Sequence, residues 1–170
     1  MSAPAAPTAG ASNAELIRWS FEVLNAHDVT PLRAFWTDET VERFPDATCR
    51  GAAQIAAYFE TLFRAIPDFH MDIVAMAAEG DAVFVRWHLT GTHTGPGFAG
   101  LEPTGKRIAL DGIDHFTLRD GTVVSNFVVF DQAEVGRILG MLPPDGSAPD
   151  RAMKAAFNAK TKLTARLRSS

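Results

Sequence analysis

An aspartate in the middle of an apolar strand is the residue of this sequence that most clearly suggests chemistry. The stretch GIDHFTLRDGTVVSNF, residues 112–127, has the pattern of a β-hairpin around the turn Asp120-Gly121. Because alternate side chains of a strand point to opposite faces, Asp114 shares its face with Phe116 and other apolar residues. Burial there raises the pKa of a carboxyl unless a cation compensates it. We expect Asp114 to be a buried catalytic residue of a pocket; the alternative is a salt-bridged carboxylate at a strand edge or interface.

A second pair of candidates lies in the stretch VFVRWHLTG. Arg86 and His88 share one face of this strand. His88 could be a general base, because the pKa of imidazole lies near neutrality; the alternative is a structural histidine. The other face of the strand carries Val83, Val85, Trp87 and Leu89.

The hairpin turn predicts which residues surround the aspartate. Pairing around the turn puts Asp114 opposite Phe127, which should therefore line the same wall, while His115 points away from the pocket. Asp131 and Glu134 have the spacing of a capping box, which favours Asp131 as a helix N-cap. The alternative is a catalytic Asp131 at the pocket rim.

Other residues are expected to bind substrate. Arg43 and Arg86 are cations that could compensate Asp114. The Gly/Pro-rich loop GPGFAG contains Phe98 and is interpreted as a mobile lid at the pocket mouth. The complete set of expected substrate-binding residues is Arg43, Arg86, Trp36, Tyr58, Phe127 and Phe98. His70, His88 and His93 do not form a metal set, since no His-x-His or Glu-x-x-His spacing gathers three ligands, so no metal is expected. No other cofactor is expected either.

The elements that must position these residues follow from hydrophobic periodicity. Helices are predicted over residues 13–26, 31–36 and 51–65, and the first of these opens with a capping box formed by Ser12 and Glu15. From Asp68 onward the period changes to that of strands, which should form one curved antiparallel sheet. Helices followed by an antiparallel meander indicate an α+β fold.

Composition predicts one domain with flanking segments. Residues 1–11 are Ala, Pro, Gly, Ser and Thr and are expected to be disordered. Residues 12–143 should form the domain, and residues 144–170 a linker and a basic helical tail. A chain of 170 residues with 46 % hydrophobic content suits this organisation, and its net charge of −4 gives no reason to expect nucleic acid.

The same composition predicts the compartment. The N-terminus lacks the basic and apolar regions of a signal peptide, and no apolar run is long enough to cross a membrane. The single cysteine, Cys49, cannot form an internal disulfide, which favours a reducing environment. We therefore expect a cytoplasmic protein without a membrane partner.

The order of elements resembles the nuclear transport factor 2-like superfamily, whose cone-shaped fold wraps a curved sheet over helices around one deep pocket. Within it, the motifs RAIPDFHMDI, GTHTGPGFAGLEPTGKRI, GIDHFTLRDGTVV and DQAEVGRILGMLP are similar to the SnoaL-like polyketide cyclase family over about residues 13–143. That family tends to show His-Trp-Asp where this chain has Asn126-Phe127-Val128. The difference removes one candidate general base.

A partial resemblance to ketosteroid isomerase is carried by LNAHD, FWTDETVE and IDHF. In that enzyme, the Asp of IDHF stays neutral and hydrogen-bonds the enolate oxygen, and Asp114 stands at its position. Ser20 stands at the position of its catalytic Tyr and Arg43 at that of its base. Since Arg cannot abstract a proton, that mechanism of steroid isomerisation is not expected. The Arg-x-His of residues 86–88 is similar to the Arg-x-Asp of limonene-epoxide hydrolase-like proteins, in which both groups face the pocket. The resemblance implies that Arg86 and His88 also face the pocket.

Together these observations predict a small cofactor-independent enzyme that acts by acid/base chemistry on an apolar, oxygenated small molecule. The reaction would be cyclisation or isomerisation of a polyketide- or steroid-like compound. The alternatives are a non-catalytic small-molecule-binding protein or dimeric scaffold, and an epoxide hydrolase. If Arg86 and His88 face inward, the opposite face is too apolar to remain in water, so a homodimer through the convex sheet face is expected.

Overall fold

The computed structural model describes residues 4–8, 10–98 and 100–168, which form two compact units. The first unit ends at Gln132 and the second begins at Ala133. The expected disorder of residues 1–11 falls partly on residues 1–3 and 9, which lie outside the described residues. The domain limits predicted from composition, 12–143 and 144–170, stay predictions.

Two helices and a short 3₁₀ turn precede and interrupt the first strands. Helix α1 covers Asn13–Asn25 and α2 covers Gly51–Ala65, close to the predicted limits. The capping box is confirmed, because Glu15 N–H donates to Ser12 Oγ and Ser12 N–H donates to a Glu15 carboxylate oxygen. The second predicted helix is only a 3₁₀ turn, Pro31–Ala34, since the chain enters a strand at Trp36.

Six strands form one sheet in the first unit. They are β1 (Trp36–Arg43), β2 (Thr48–Arg50), β3 (His70–Glu79), β4 (Ala82–Thr92), β5 (Arg107–Arg119) and β6 (Thr122–Phe130). Their order across the sheet is β2-β1-β6-β5-β4-β3. Strands β3 to β6 form the predicted antiparallel meander. The sheet as a whole is mixed, because β1 pairs with β6 in parallel.

The two faces of the sheet differ in what covers them. Helix α1 packs against β3 and β4, and α2 packs against β1 and β2. On the inner face, Val83, Val85 and Trp87 of β4 are buried. On the outer face, Phe84 and Arg86 are exposed. The α+β fold with helices over a curved sheet is therefore confirmed, and the hydrophobic side of β4 is the one that meets the helices.

The second unit is helical. Helix α3, Gln132–Leu139, begins at the boundary, and α4, Ala148–Arg168, forms the basic C-terminal segment. Within α4, Lys154 Nζ lies 2.7 Å from a carboxylate oxygen of Asp150 one turn earlier. None of the helices in the described residues is long and apolar enough to cross a membrane.

Candidate active site

A cavity of about 650 Å³, including its open mouth, lies between the inner face of the sheet and the helices. Most of its wall is aromatic or aliphatic. The polar residues that reach it are Ser20, Glu42, Tyr58, Asp114 and Asn126. Among the described residues that line this cavity there is no Lys, Arg or His. Its polar chemistry is therefore that of carboxyl, amide and hydroxyl groups.

Asp114 is buried in this cavity, as its place in the strand predicted. Its side chain is 6 % exposed. Trp87 Nε1 donates to Asp114 Oδ1 at 3.0 Å, and Asn126 Nδ2 donates to Oδ2 at 3.5 Å. Burial raises the pKa of Asp114 to about 7, against the smaller lowering effect of the hydrogen bonds from Trp87 and Asn126. Near neutral pH this carboxyl can both accept and donate a proton.

A glycine lets the tryptophan reach Asp114. Gly112 pairs with Trp87 across β4 and β5, and a Cβ at Gly112 would overlap the indole ring. The ring thus occupies the space above Gly112, two residues from Asp114 on the same face. The sequence Gly112-Ile113-Asp114 therefore supplies both the carboxyl and the room for its hydrogen-bond donor.

A second carboxyl, Glu42, lies in the same cavity, and sequence reasoning missed it. Glu42 is 2 % exposed and hydrogen-bonds with Asn126 and Trp36. Burial, and then the negative charge of Asp114, raise the pKa of Glu42 to about 8. In β1, Thr40 and Glu42 alternate inward. This alternation is the sequence feature that could have identified Glu42 as an inward-facing residue. It places Glu42 in the site only when the parallel pairing of Glu42 with Asn126 is also known.

The amide of Asn126 connects the two carboxyls. It hydrogen-bonds both Asp114 and Glu42, and its Oδ1 is buried with no partner among the described residues. The amide nitrogen is therefore the atom that serves both carboxyls. The resulting group has two acids, one bridging amide and two indoles, without a cation to fix either carboxyl as an anion.

The predicted pairing of the hairpin is wrong beyond its turn. Leu118 pairs with Val123 as expected, but Thr117 pairs with Ser125, so Val124 is an extra residue. This bulge shifts β6 by one residue and places Val128, rather than Phe127, opposite Asp114. Phe127 is 53 % exposed on the outer face and is not a pocket residue.

The prediction that Arg86 and His88 face the pocket is also wrong. His88 Nδ1 lies 2.9 Å from Asp111 Oδ1, and Arg86 lies 3.7 Å from the other oxygen of this exposed carboxylate. Trp87 and Leu89 point inward in their place. The apolar side of β4 packs against the helices because this orientation buries more hydrophobic surface than the reverse one. The reverse orientation would also bury the charge of Arg86. The epoxide hydrolase alternative is therefore not supported, because Arg86 and His88, the two residues on which it was based, lie outside the cavity.

Arg43 is the second arginine that the structure places outside the pocket. It is exposed and pairs with Phe127 on the outer side of the sheet, one residue after Glu42. Because neighbouring strand residues alternate, placing Glu42 inside forces Arg43 outside. Neither Arg43 nor Arg86 can therefore compensate Asp114.

Of the remaining candidates, Trp36 and Tyr58 line the cavity. Trp36 stacks on Phe59 with ring centroids 6.0 Å apart, and Tyr58 donates to Asp46 at 3.2 Å. Phe98 is not among the cavity-lining residues and instead packs edge-on against His93.

Asp131 is exposed directly after β6, in a shallow depression of the outer face that it shares with Arg86. It does not line the main cavity, so its predicted catalytic role has no support from its position. Whether it acts as a helix cap stays a prediction.

The outer face carries the apolar surface that could hold a second copy. It exposes Phe84, Ile113, Phe127 and Val129, each between 48 and 53 % exposed. The dimer through the convex face was predicted from Val83, Val85, Trp87 and Leu89, and these residues are buried on the inner side. The dimer itself stays a prediction, with a different set of contact residues.

Comparison with known proteins identifies the family of this chain. Residues 14–139 match the model of the SnoaL-like polyketide cyclases. The chain belongs to the SnoaL-like polyketide cyclase family. No curated protein matches the sequence.

Solved structures agree with this assignment. AclR from Streptomyces galilaeus, described as a hydroxylase, is 28 % identical, with 92 % of this chain and 96 % of AclR covered at a TM-score of 0.69. A protein from Jannaschia sp. CCS1, described as a SnoaL-like polyketide cyclase, is 26 % identical, with 77 % and 93 % covered at a TM-score of 0.69. TsrD from Streptomyces laurentii is 24 % identical over 80 % of this chain and all of TsrD, with a TM-score of 0.70, and supports the fold alone.

The site differs from the His-Trp-Asp pattern with which residues 126–128 were compared. Val128 stands in place of the Asp of that pattern and pairs directly with Asp114 on the inner face. Glu42 supplies a second carboxyl from the opposite side of Asn126. The cavity of this chain therefore contains two acids.

Proposed function

We propose that this SnoaL-like protein is an enzyme that moves a proton at a carbon beside a carbonyl group, with Asp114 and Glu42 as acid and base. Its substrate is an uncharged, largely apolar, oxygenated ring compound, and the outcome is cyclisation or isomerisation of a polyketide- or steroid-like molecule without a cofactor. The observation that carries the proposal is the pair of buried carboxyls, joined by Asn126, in an otherwise apolar cavity.

The pair suits proton transfer because burial raises the pKa of both carboxyls toward neutrality, to about 7 for Asp114 and about 8 for Glu42. Near neutral pH the pair can therefore share one proton. In the state with one proton, the Asp114 carboxylate takes a proton from the α-carbon, and the electron pair of that C–H bond forms the enolate. Glu42 then donates its proton to the enolate oxygen or to the carbonyl that the enolate carbon attacks.

The charges of the cavity restrict what can bind there. With no cation among its described lining residues, the cavity offers no compensation to an anionic ligand, and the two carboxyls repel one. Aromatic surface from Trp36, Phe59 and Phe116 favours a flat, apolar ring system. Both features support a neutral ligand that brings only a few polar atoms.

The proposal is tested by hydrogen exchange at carbon, which reports the first step whatever product follows. Bicyclic and tricyclic ketones with enolisable hydrogens, beginning with α-tetralone, are incubated with the enzyme in deuterium oxide and followed by proton NMR. The expected result is enzyme-dependent loss of the α-hydrogen signal, with a rate maximum between about pH 7 and 8 where one proton is shared by the pair. Tight binding of these ketones without exchange would instead favour the non-catalytic binding alternative.

A further inference from the structure

One buried polar atom of the cavity has no partner, and the proton-transfer mechanism does not use it. Asn126 is 3 % exposed, and its Oδ1 makes no hydrogen bond with any described residue. An unsatisfied buried carbonyl destabilises the folded protein, and buried polar groups are nearly always satisfied. Such an atom in the wall of a ligand cavity indicates that a ligand supplies the missing donor.

The orientation of this amide follows from its neighbours. The Asn126 nitrogen donates to Asp114 Oδ2, and in the one-proton state of the pair Asp114 is the carboxylate that requires a donor. Reversing the amide would set its oxygen against this carboxylate and would remove the hydrogen bond to Asp114. The oxygen therefore remains available for a partner outside the protein.

The other donors of the cavity are engaged elsewhere or, as with the Glu42 carboxyl, lie on the nitrogen side of the Asn126 amide. The Trp87 indole N–H donates to Asp114, the Ser20 hydroxyl donates to the Ile17 carbonyl oxygen, and the Tyr58 hydroxyl donates to Asp46. Consequently none of these polar groups of the cavity offers a proton to Asn126 Oδ1.

We infer that Asn126 is a specificity-determining residue whose Oδ1 accepts a hydrogen bond from a hydroxyl of the substrate. The substrate class is then a hydroxylated ketone, in which the carbonyl reaches the carboxyl pair and a hydroxyl elsewhere on the ring reaches Asn126. This inference rests on the proposed function for the role of the carbonyl. A ketone without the hydroxyl would leave the amide oxygen unsatisfied and would bind more weakly, because the site was built to receive a donor.

The experiment compares ring-hydroxylated α-tetralones with their methyl ethers. Each positional isomer that has the hydroxyl on the aromatic ring is paired with the ether of the same position, which keeps the ring and the carbonyl but cannot donate. Isothermal calorimetry should find at least one isomer that binds wild type about tenfold more tightly than its ether. If no isomer binds more tightly than its ether, the inference is overturned.

Two further measurements assign the preference to Asn126. In Asn126→Leu, an apolar side chain of similar size, the preference for the hydroxyl should fall to within about twofold. Should this variant fail to fold, carbon NMR of wild type labelled in asparagine provides the same information. The Asn126 amide carbonyl resonance should shift with the hydroxylated ligand and remain in place with the ether, and equal shifts would overturn the inference.

Two separate readouts on wild type distinguish this inference from the proposed function. Alpha-hydrogen exchange reports the carboxyl pair, whereas the affinity ratio between each hydroxylated ketone and its ether reports Asn126 Oδ1. Exchange without a hydroxyl preference would leave the proposed function standing and refute the role of Asn126. A hydroxyl preference without exchange in wild type would do the reverse.

Discussion

Two aspartates on strand β5, Asp111 and Asp114, lie three residues apart on opposite faces of the same sheet and are in contrasting chemical states. Asp111 is exposed on the outer face, where a hydrogen bond from His88 holds the pKa of Asp111 below its ordinary value, assisted by the charges of His88 and Arg86. Burial raises the pKa of Asp114 to about 7 on the inner face. The same residue type therefore has a lowered pKa on one face and a pKa near neutrality on the other.

The difference between the pKa values of Asp111 and Asp114 comes from their solvent exposure and hydrogen-bond partners, since the two residues are close in sequence. On the outer face water solvates the carboxylate, and cations approach it. On the inner face the partners are a neutral indole and a neutral amide, which stabilise the anion less than water does. An apolar cavity without cations is thus enough to convert an ordinary carboxyl into an acid that works near neutral pH.

The largest expected effect is a difference in catalysis between the two aspartates. Asp114→Asn should lower α-hydrogen exchange by at least about 100-fold, because the amide can donate a hydrogen bond but cannot accept the substrate proton. Asp111→Asn, the matched change on the outer face, should alter the rate by less than about twofold. Equal losses in both variants would show that the outer cluster takes part in the reaction.

The second expected effect is a loss of stability as the pH rises. The folded-state pKa values of Asp114 and Glu42 lie above the unfolded values, so the native state binds more protons between them. The contribution of these two carboxyls to stability is fully present below their unfolded pKa values and is lost as the pH rises through their folded values, about 7 and 8. Each unit of pKa shift corresponds to roughly 1.4 kcal/mol of this contribution.

Urea unfolding at about pH 5 and about pH 9 measures this second effect. Wild type should have the lower free energy of unfolding at the higher pH, and Glu42→Gln should flatten the dependence. Glu39→Gln, an exposed glutamate on the same strand, is the control and should retain the wild-type slope. A wild-type protein that gains stability across this range would contradict the account of the inner face.

A smaller effect on stability and on the pH–rate profile is expected from a change at Gly112, which makes room for the Trp87 ring on the inner face. In Gly112→Ala the added methyl overlaps the Trp87 ring, and displacing the indole should cost about 1–3 kcal/mol of unfolding free energy. Loss of the hydrogen bond should also raise the pKa of Asp114 further and move the acid limb of the pH–rate profile upward. Trp87→Phe, which removes the N–H without the overlap, should give the same shift in the profile with a smaller loss of stability.

The smallest effect on the site is expected from the exposed apolar residues of the outer face. Phe127→Ser should leave α-hydrogen exchange unchanged, since Phe127 points away from the cavity. We propose that this face holds a second copy in a twofold dimer, so the same change should shift light scattering from dimer toward monomer. Wild type that is monomeric at micromolar concentration would refute the dimer and leave the inner face untouched.

The sequence predicted the elements well, because helix caps and hydrophobic period are local signals. The capping box at Ser12, the limits of α2 and the burial of Asp114 all follow from neighbouring residues. The prediction of which face of β4 is buried was wrong for a different reason. Residues of β4 alternate regularly between its two faces, so the strand pattern alone does not say which face is inside. Packing against the helices decides that Trp87, rather than Arg86, points inward.

Two further parts of the site depended on contacts between distant segments. The bulge at Val124 exchanges the faces of Asn126 and Phe127, and nothing at the turn itself indicates it. Glu42 becomes a site residue through the parallel pairing of β1 with β6, across about 80 residues of chain. Local patterns therefore located one carboxyl of the pair, whereas the second required the assembled sheet.

The central claim, that Asp114 and Glu42 are acids which titrate near neutral pH, is most directly tested by carbon NMR of their side-chain carboxyls. Resonances are assigned by their loss in Asp114→Asn and Glu42→Gln and are followed from about pH 4 to about pH 10. The account predicts two coupled transitions near about pH 7 and 8, with Glu42 protonated at about pH 6. Transitions of both carboxyls near about pH 4, where exposed Asp and Glu titrate, would contradict it.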